Sequence, residues 1–113
     1  MSNYVEIIDK NLCNPYIDLT IEGIKANSTE WVKYNFYPQN GIVGELIGDT
    51  YISSGFVYII QVMEKVFVPI DPSGIKSISQ SEFKSRYSRN KEIGIDKYSE
   101  NDNAASTQIM KDM

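Results

Sequence analysis

The stretch Asn40-Gly-Ile-Val-Gly-Glu-Leu-Ile-Gly48 opens the part of this chain that decides its fold. Phe56-Val-Tyr-Ile-Ile-Gln-Val62 and Lys65-Val-Phe-Val-Pro-Ile70 follow, and Asp71-Pro-Ser-Gly-Ile75 closes it. Short runs of β-branched and aromatic residues, punctuated by glycine, proline and asparagine, read as strands joined by turns. Asn40-Gly41 is a turn signal. Gly44 and Gly48 lie inside an apolar run, where glycine marks the bulges and bends that curl a short sheet into a barrel. Residues 56–62 and 65–70 read as a hairpin with Met63-Glu64 near its turn. In the second arm Val66, Val68 and Ile70 share a face opposite Phe67, and Pro69 places the arm near a sheet edge or close to its own end.

Upstream, Val32, Tyr34 and Phe36 alternate with Trp31, Lys33, Asn35 and Tyr37, which predicts a strand ended by Pro38. Asp49 to Gly55 reads as a polar connection carrying Tyr51 and Ile52. Downstream, Ser79 and Glu82 match a capping box, with Ile78 and Phe83 at the staple positions. They predict a helix from Gln80 to Ser88, laid across one barrel opening, with Phe83 and Tyr87 on its buried face. Near the start, Tyr4-Val-Glu-Ile-Ile8 fits a short strand or one helical turn. Ile17, Leu19 and Ile21 alternate with polar residues and predict a half-buried strand, and Gly23 and Ala26-Asn-Ser-Thr29 mark loops. The expected organisation is a lead-in over 1–30 that packs on the barrel, a barrel with its helix over 31–95, and a disordered tail over 96–113.

The chain has 113 residues, 42 % of them hydrophobic, which suits one domain with a modest core. A net charge of −4 opposes general binding to phosphate backbones. Most of that charge sits in residues 1–30, where acids outnumber lysines. The N-terminus has no secretory pattern, and no apolar run is long enough to span a bilayer. With a single cysteine, Cys13, an intrachain disulfide is impossible, and the expected setting is cytoplasmic. The excess of lysine, isoleucine and asparagine suggests a bacterial or phage source.

Histidine is absent, which removes Ser-His-Asp and Cys-His catalysis within the chain. Zinc sites need several cysteine or histidine ligands, so neither metal nor cofactor is expected. Glu45 and Asp49 are the nearest thing to a carboxylate pair, and their plain reading is as solvated loop charges. Lys84-Ser-Arg-Tyr-Ser-Arg-Asn-Lys91 is the basic cluster; it reads either as a phosphate contact or as the solvated end of a helix. Among the aromatic residues, Trp31, Tyr37 and Tyr51 are expected at the surface, because they flank loops or oppose the core face.

The order of elements resembles the SH3-like small barrel. An aromatic-rich first strand meets the glycine-bearing bend 40–48, a central hairpin follows, and Val68-Pro69-Ile70 leads to a short terminal turn. The resemblance implies a mainly β fold: a bent barrel of about five strands with an N-terminal extension and one short C-terminal helix. The acidic loop and paired tyrosines of eukaryotic proline-peptide binders are missing, so polyproline recognition is not implied. The fold class serves many functions. The expected function is non-enzymatic protein binding, as an inhibitor or immunity-type protein that blocks a partner. Trp31, Tyr37, Tyr51, Glu45 and Asp49 are its candidate contacts. The alternative is a nucleic-acid accessory factor using residues 84–91. Edge strands around Tyr51 or 17–21 leave homo-oligomerisation open.

Overall fold

The computed structural model describes residues 3–14, 18–53 and 55–94. Along the chain run β1 (Tyr4–Ile7), β2 (Leu19–Ile21), β3 (Ile24–Ala26), α1 (Ser28–Lys33), β4 (Val43–Ile52) and β5 (Gly55–Met63). Then come β6 (Val66–Ile70), β7 (Ile75–Ser77), α2 (Gln80–Arg86) and α3 (Asn90–Ile93). The fold is mainly β. An antiparallel sheet in the order β6-β5-β4-β1-β7 carries the core, and β2 and β3 form a separate hairpin.

The sheet is open. Its edges, β6 and β7, do not pair with each other, so the expected closed barrel does not form. The expected hairpin is present as β5 and β6, joined at Met63↔Val66 through a turn in which Lys65 takes φ 68°. Pro69 lies on the edge strand, as its missing N–H requires. Its carbonyl accepts from the Asn14 N–H at 2.9 Å. The glycine-bearing run does contain a bulge: Leu46 pairs with Ile60 and Gly48 with Ile59, which leaves Ile47 as the extra residue. At Gly44 a Cβ would lie 2.9 Å from the Gln61 carbonyl oxygen, so glycine lets the strands close there.

The two faces of the sheet bury different residues. Val5, Ile60, Val62, Val66, Val68 and Ile70 belong to the main core, which Trp31 and Phe36 complete. Val57 and Ile59 face the other way and meet Ala26, with Leu19, Ile21 and Phe67 packed around them. The β2–β3 hairpin therefore covers the second face. Each fully buried Val, Ile or Phe side chain contributes about 1.5–3 kcal/mol by leaving water.

The segment expected as a strand over 31–37 is instead α1 and the turn after it. The Asn27 side chain accepts the Glu30 N–H at 3.1 Å and caps the helix start. At the other end Asn35 takes φ 52°, with Asn35 N–H bonded to Val32 O and Phe36 N–H to Trp31 O. That is a left-handed closing turn, which asparagine tolerates. Local capping at both ends overrode the period-two alternation. The polar connection expected over 49–55 is also replaced: β4 continues to Ile52, because Asp49, Thr50, Tyr51 and Ile52 all find partners on β5. β3 and β7 lie in segments where the sequence gives no strand expectation.

The helix start is as expected, with Ser79 Oγ accepting the Glu82 N–H at 3.1 Å. The helix itself ends at Arg86 and continues through a 3-10 turn, Tyr87–Arg89, into α3. Phe83 stacks between Tyr4 and Tyr87, with ring centroids 4.5 and 4.8 Å apart, and holds α2 against β1. The tail read over 96–113 lies outside the described residues, as do Ile17 and Ile95.

Candidate functional site

β4 and β5 are longer than the strands beside them. β1 pairs with β4 only as far as Tyr4↔Glu45, and β6 pairs with β5 only as far as Tyr58↔Ile70. Among the described residues Thr50–Ile52 and Gly55–Val57 therefore pair only with each other and form a two-stranded arm beyond the sheet. Period-two alternation puts Tyr51 and Phe56 of this arm on one side together with Asp49 and Tyr58 at its base. Tyr51 and Phe56 are cross-strand partners with ring centroids 5.0 Å apart, and Phe56 meets Tyr58 edge-on at 5.2 Å. These are the separations at which aromatic pairs attract. Tyr51 nevertheless remains 80 % exposed.

At the base of the arm the other face of the sheet borders a cleft of about 100 Å³. Leu19, Ile21, Ile24 and Ala26 of the β2–β3 hairpin form one wall, and Ile47, Gly48 and Ile59 the other. Glu22, in the tight turn between β2 and β3, supplies the charge in the lining. The volume suits a single apolar side chain and falls below the range of about 300–1,000 Å³ usual for small-molecule pockets. Ile47, the bulged residue, is 37 % exposed at the lip.

The surroundings are acidic. Glu22, Glu45 and Asp49 are exposed and make no ion pair among the described residues. Glu45 pairs across the sheet with Gln61 and Asp49 with Tyr58, so the bulge between them turns the two carboxylates to opposite faces. They do not converge on a common point, which is the geometry that paired acid–base chemistry requires. No group of His, Cys, Asp and Glu capable of holding a metal ion occurs among the described residues. No helix among them is long and apolar enough to cross a membrane.

The basic segment is divided between two roles. Arg86 donates to Glu6 at 3.2 Å, to Glu82 at 2.7 Å and to the Gly41 carbonyl at 2.7 Å. The hydrogen bond from Arg86 holds the Glu6 carboxyl below its usual range, and Glu6 in turn raises the Arg86 guanidinium. Arg86 is thus a fastener between the helix and β1, whereas Lys84, Arg89 and Lys91 are exposed. Burial, helped by the charges of Glu45 and Glu64, raises the Tyr87 phenol.

Of the residues expected at the surface, Tyr51, Glu45 and Asp49 are exposed. Trp31 is not: it is 3 % exposed, and its indole Nε1 donates to the Phe67 carbonyl at 2.6 Å. The expectation failed because the α1 turn points Trp31 inward, between the two hairpins. Tyr37 is half-buried, and its N–H donates to the Gly94 carbonyl at 2.8 Å. Ile47 was missed, although an isoleucine beside Gly48 in a bulging run was a readable signal. No family model, no curated protein and no solved structure gives a significant match to the chain.

Proposed function

We propose that the chain is a non-enzymatic protein-binding module and that the β4–β5 arm is its contact surface. In the concrete form favoured here it is an inhibitor or immunity-type protein of a bacterium or phage, working in the cytoplasm against a basic site on its partner. The observation that carries the reading is the exposure of Tyr51 at a fixed position on Phe56, in an arm that projects past its neighbours. A rigid exposed aromatic loses little conformational entropy on binding, which is why such residues dominate binding energies. The acidic residues around the arm favour a basic partner. The element order supports an SH3-like origin for the scaffold: a central hairpin, an arm carrying Pro69, a 3-10 turn over Pro72–Gly74, and β7 returning to lie beside β1. Nucleic-acid binding through 84–91 is less favoured, because Arg86 is committed to Glu6 and Glu82.

The test is affinity capture from a lysate of the producing cell with the wild-type chain, Tyr51→Ala and Lys84→Ala. A protein retained by the wild type and by Lys84→Ala, and lost with Tyr51→Ala, supports the reading. Capture that Tyr51→Ala leaves unchanged, or recovery of nucleic acid that Lys84→Ala abolishes, refutes it.

A further inference from the structure

We infer that the edge of β4 from Ile47 to Ile52, unpaired among the described residues, takes an added strand from a basic partner segment, with one apolar side chain of that segment seated in the cleft beside Ile47. The inference rests on the protein-binding reading and specifies the partner's chemistry. β1 stops pairing with β4 at Glu45, and the Leu46 N–H is met by the Asn3 carbonyl at 2.6 Å. From Ile47 onward that side of β4 has no strand partner among the described residues. An unpaired edge offers its backbone groups to an extended segment, and pockets for alternate side chains give such addition its selectivity. The cleft is such a pocket. Ile47 and Gly48 belong both to its wall and to the open edge, and its volume of about 100 Å³ matches one aliphatic side chain.

The charges specify the occupant. Glu22 lines the cleft, and Glu45 and Asp49 flank the edge on its two faces, all exposed and without ion pairs among the described residues. An incoming strand whose anchor enters the cleft turns the residues on either side of that anchor to the opposite face, where lysine or arginine meets Asp49, while a basic residue two places along the strand faces Glu22 and Glu45. A second copy of this chain fits poorly, because edge-to-edge pairing would bring two sets of Glu45 and Asp49 together. The matching open edge on β5 spans only Gly55 to Val57 and has no cleft residue of its own.

The experiment uses the full chain and synthetic fluorescent peptides that alternate valine with lysine or valine with glutamate, and a valine–lysine peptide with proline at its centre. Fluorescence anisotropy should show binding of the valine–lysine peptide alone. Asp49→Lys and Ile47→Lys should each weaken it by about tenfold or more. Amide chemical-shift changes on titration should centre on residues 47–52. Equal binding of the glutamate or proline peptides, shifts centred elsewhere, or self-association without peptide binding overturns the inference. Absence of peptide binding while Tyr51→Ala still abolishes protein capture overturns strand addition alone; loss of both removes the protein-binding reading as well.

Discussion

Asn90 hydrogen-bonds both backbone groups of Val43, 47 residues away in sequence. Val43 N–H donates to Asn90 Oδ1 at 3.1 Å, and Asn90 Nδ2 donates to the carbonyls of Val43 at 2.6 Å and Val62 at 2.7 Å. The carboxamide stands where the β4–β5 ladder has ended beyond Glu45↔Gln61, and it supplies the bonds a further rung would have made. Asn90 is fully buried. Asn90→Ala should leave those three backbone groups without partners and lower stability by about 2–4 kcal/mol, read from urea unfolding. Asn90→Asp keeps the acceptor, loses the donor and buries a charge, so it should be at least as damaging. A loss under about 0.5 kcal/mol for Asn90→Ala would show that water satisfies the same groups.

Trp31 and Tyr51 should behave as opposites. Trp31→Ala removes a buried indole and its bond to Phe67, and should cost about 3–5 kcal/mol. Tyr51→Ala removes an exposed ring that touches Phe56, and should cost less than about 1 kcal/mol. Trp31 is the sole tryptophan, so its fluorescence reports unfolding directly. Its emission should be blue-shifted in the folded chain and move to the red across the same transition that circular dichroism follows.

The Glu6–Arg86 pair makes stability depend on acid. Glu6 is depressed below the usual carboxylate value chiefly by the Arg86 hydrogen bond. The folded chain therefore holds fewer protons at this site than the unfolded one. The contribution is complete above the ordinary Glu range and disappears as pH falls through that range toward the lowered folded value. With Glu6 side chain 17 % exposed, Glu6→Gln should cost about 1–2 kcal/mol at neutral pH. Denaturant midpoints of wild type and variant, followed down the acid limb, should converge. A constant gap would assign the loss to packing instead.

Cys13 should resist alkylation. Burial, aided by the charge of Asp9, pushes its thiol up to about 12, so almost no thiolate exists under mildly alkaline conditions. Iodoacetamide should leave the native chain unlabelled and modify it promptly in urea. Rapid labelling of the native chain would mean that the Cys13↔Ile70 bridge opens readily.

Gly94 is required for space and not for backbone freedom. A Cβ there would run into the Phe36 ring, which is itself buried. Gly94→Ala should cost about 1–3 kcal/mol. Adding Phe36→Leu should recover part of that loss, giving a coupling energy in a double-mutant cycle. Strict additivity of the two losses would place the effect in the backbone.

Some of this architecture was written locally. The β5–β6 hairpin follows from the Val66-Val68-Ile70 alternation, the edge position of Pro69 from its missing N–H, and the α2 start from Ser79 and Glu82. The helix α1 was equally local, since Asn27 and Asn35 bracket it, but alternation of aromatic residues over Trp31–Tyr37 masked the caps. The arm was harder to see. Tyr51 became a strand residue because Phe56 lies opposite it, and a cross-strand partner is supplied by register, which composition does not encode.

The sequence by itself determined a mainly β chain with no histidine, no disulfide and a capped C-terminal helix, because period, turn chemistry and residue inventory act over a few positions. Only the tertiary structure decided that Trp31 is core while Tyr51 is surface, that Asn90 completes the ladder at Val43, and that Ile47 joins an apolar cleft to a strand edge unpaired among the described residues. Each of these depends on segments far apart in the chain meeting at a distance of one hydrogen bond or one van der Waals contact, and local pattern carries no information about such meetings.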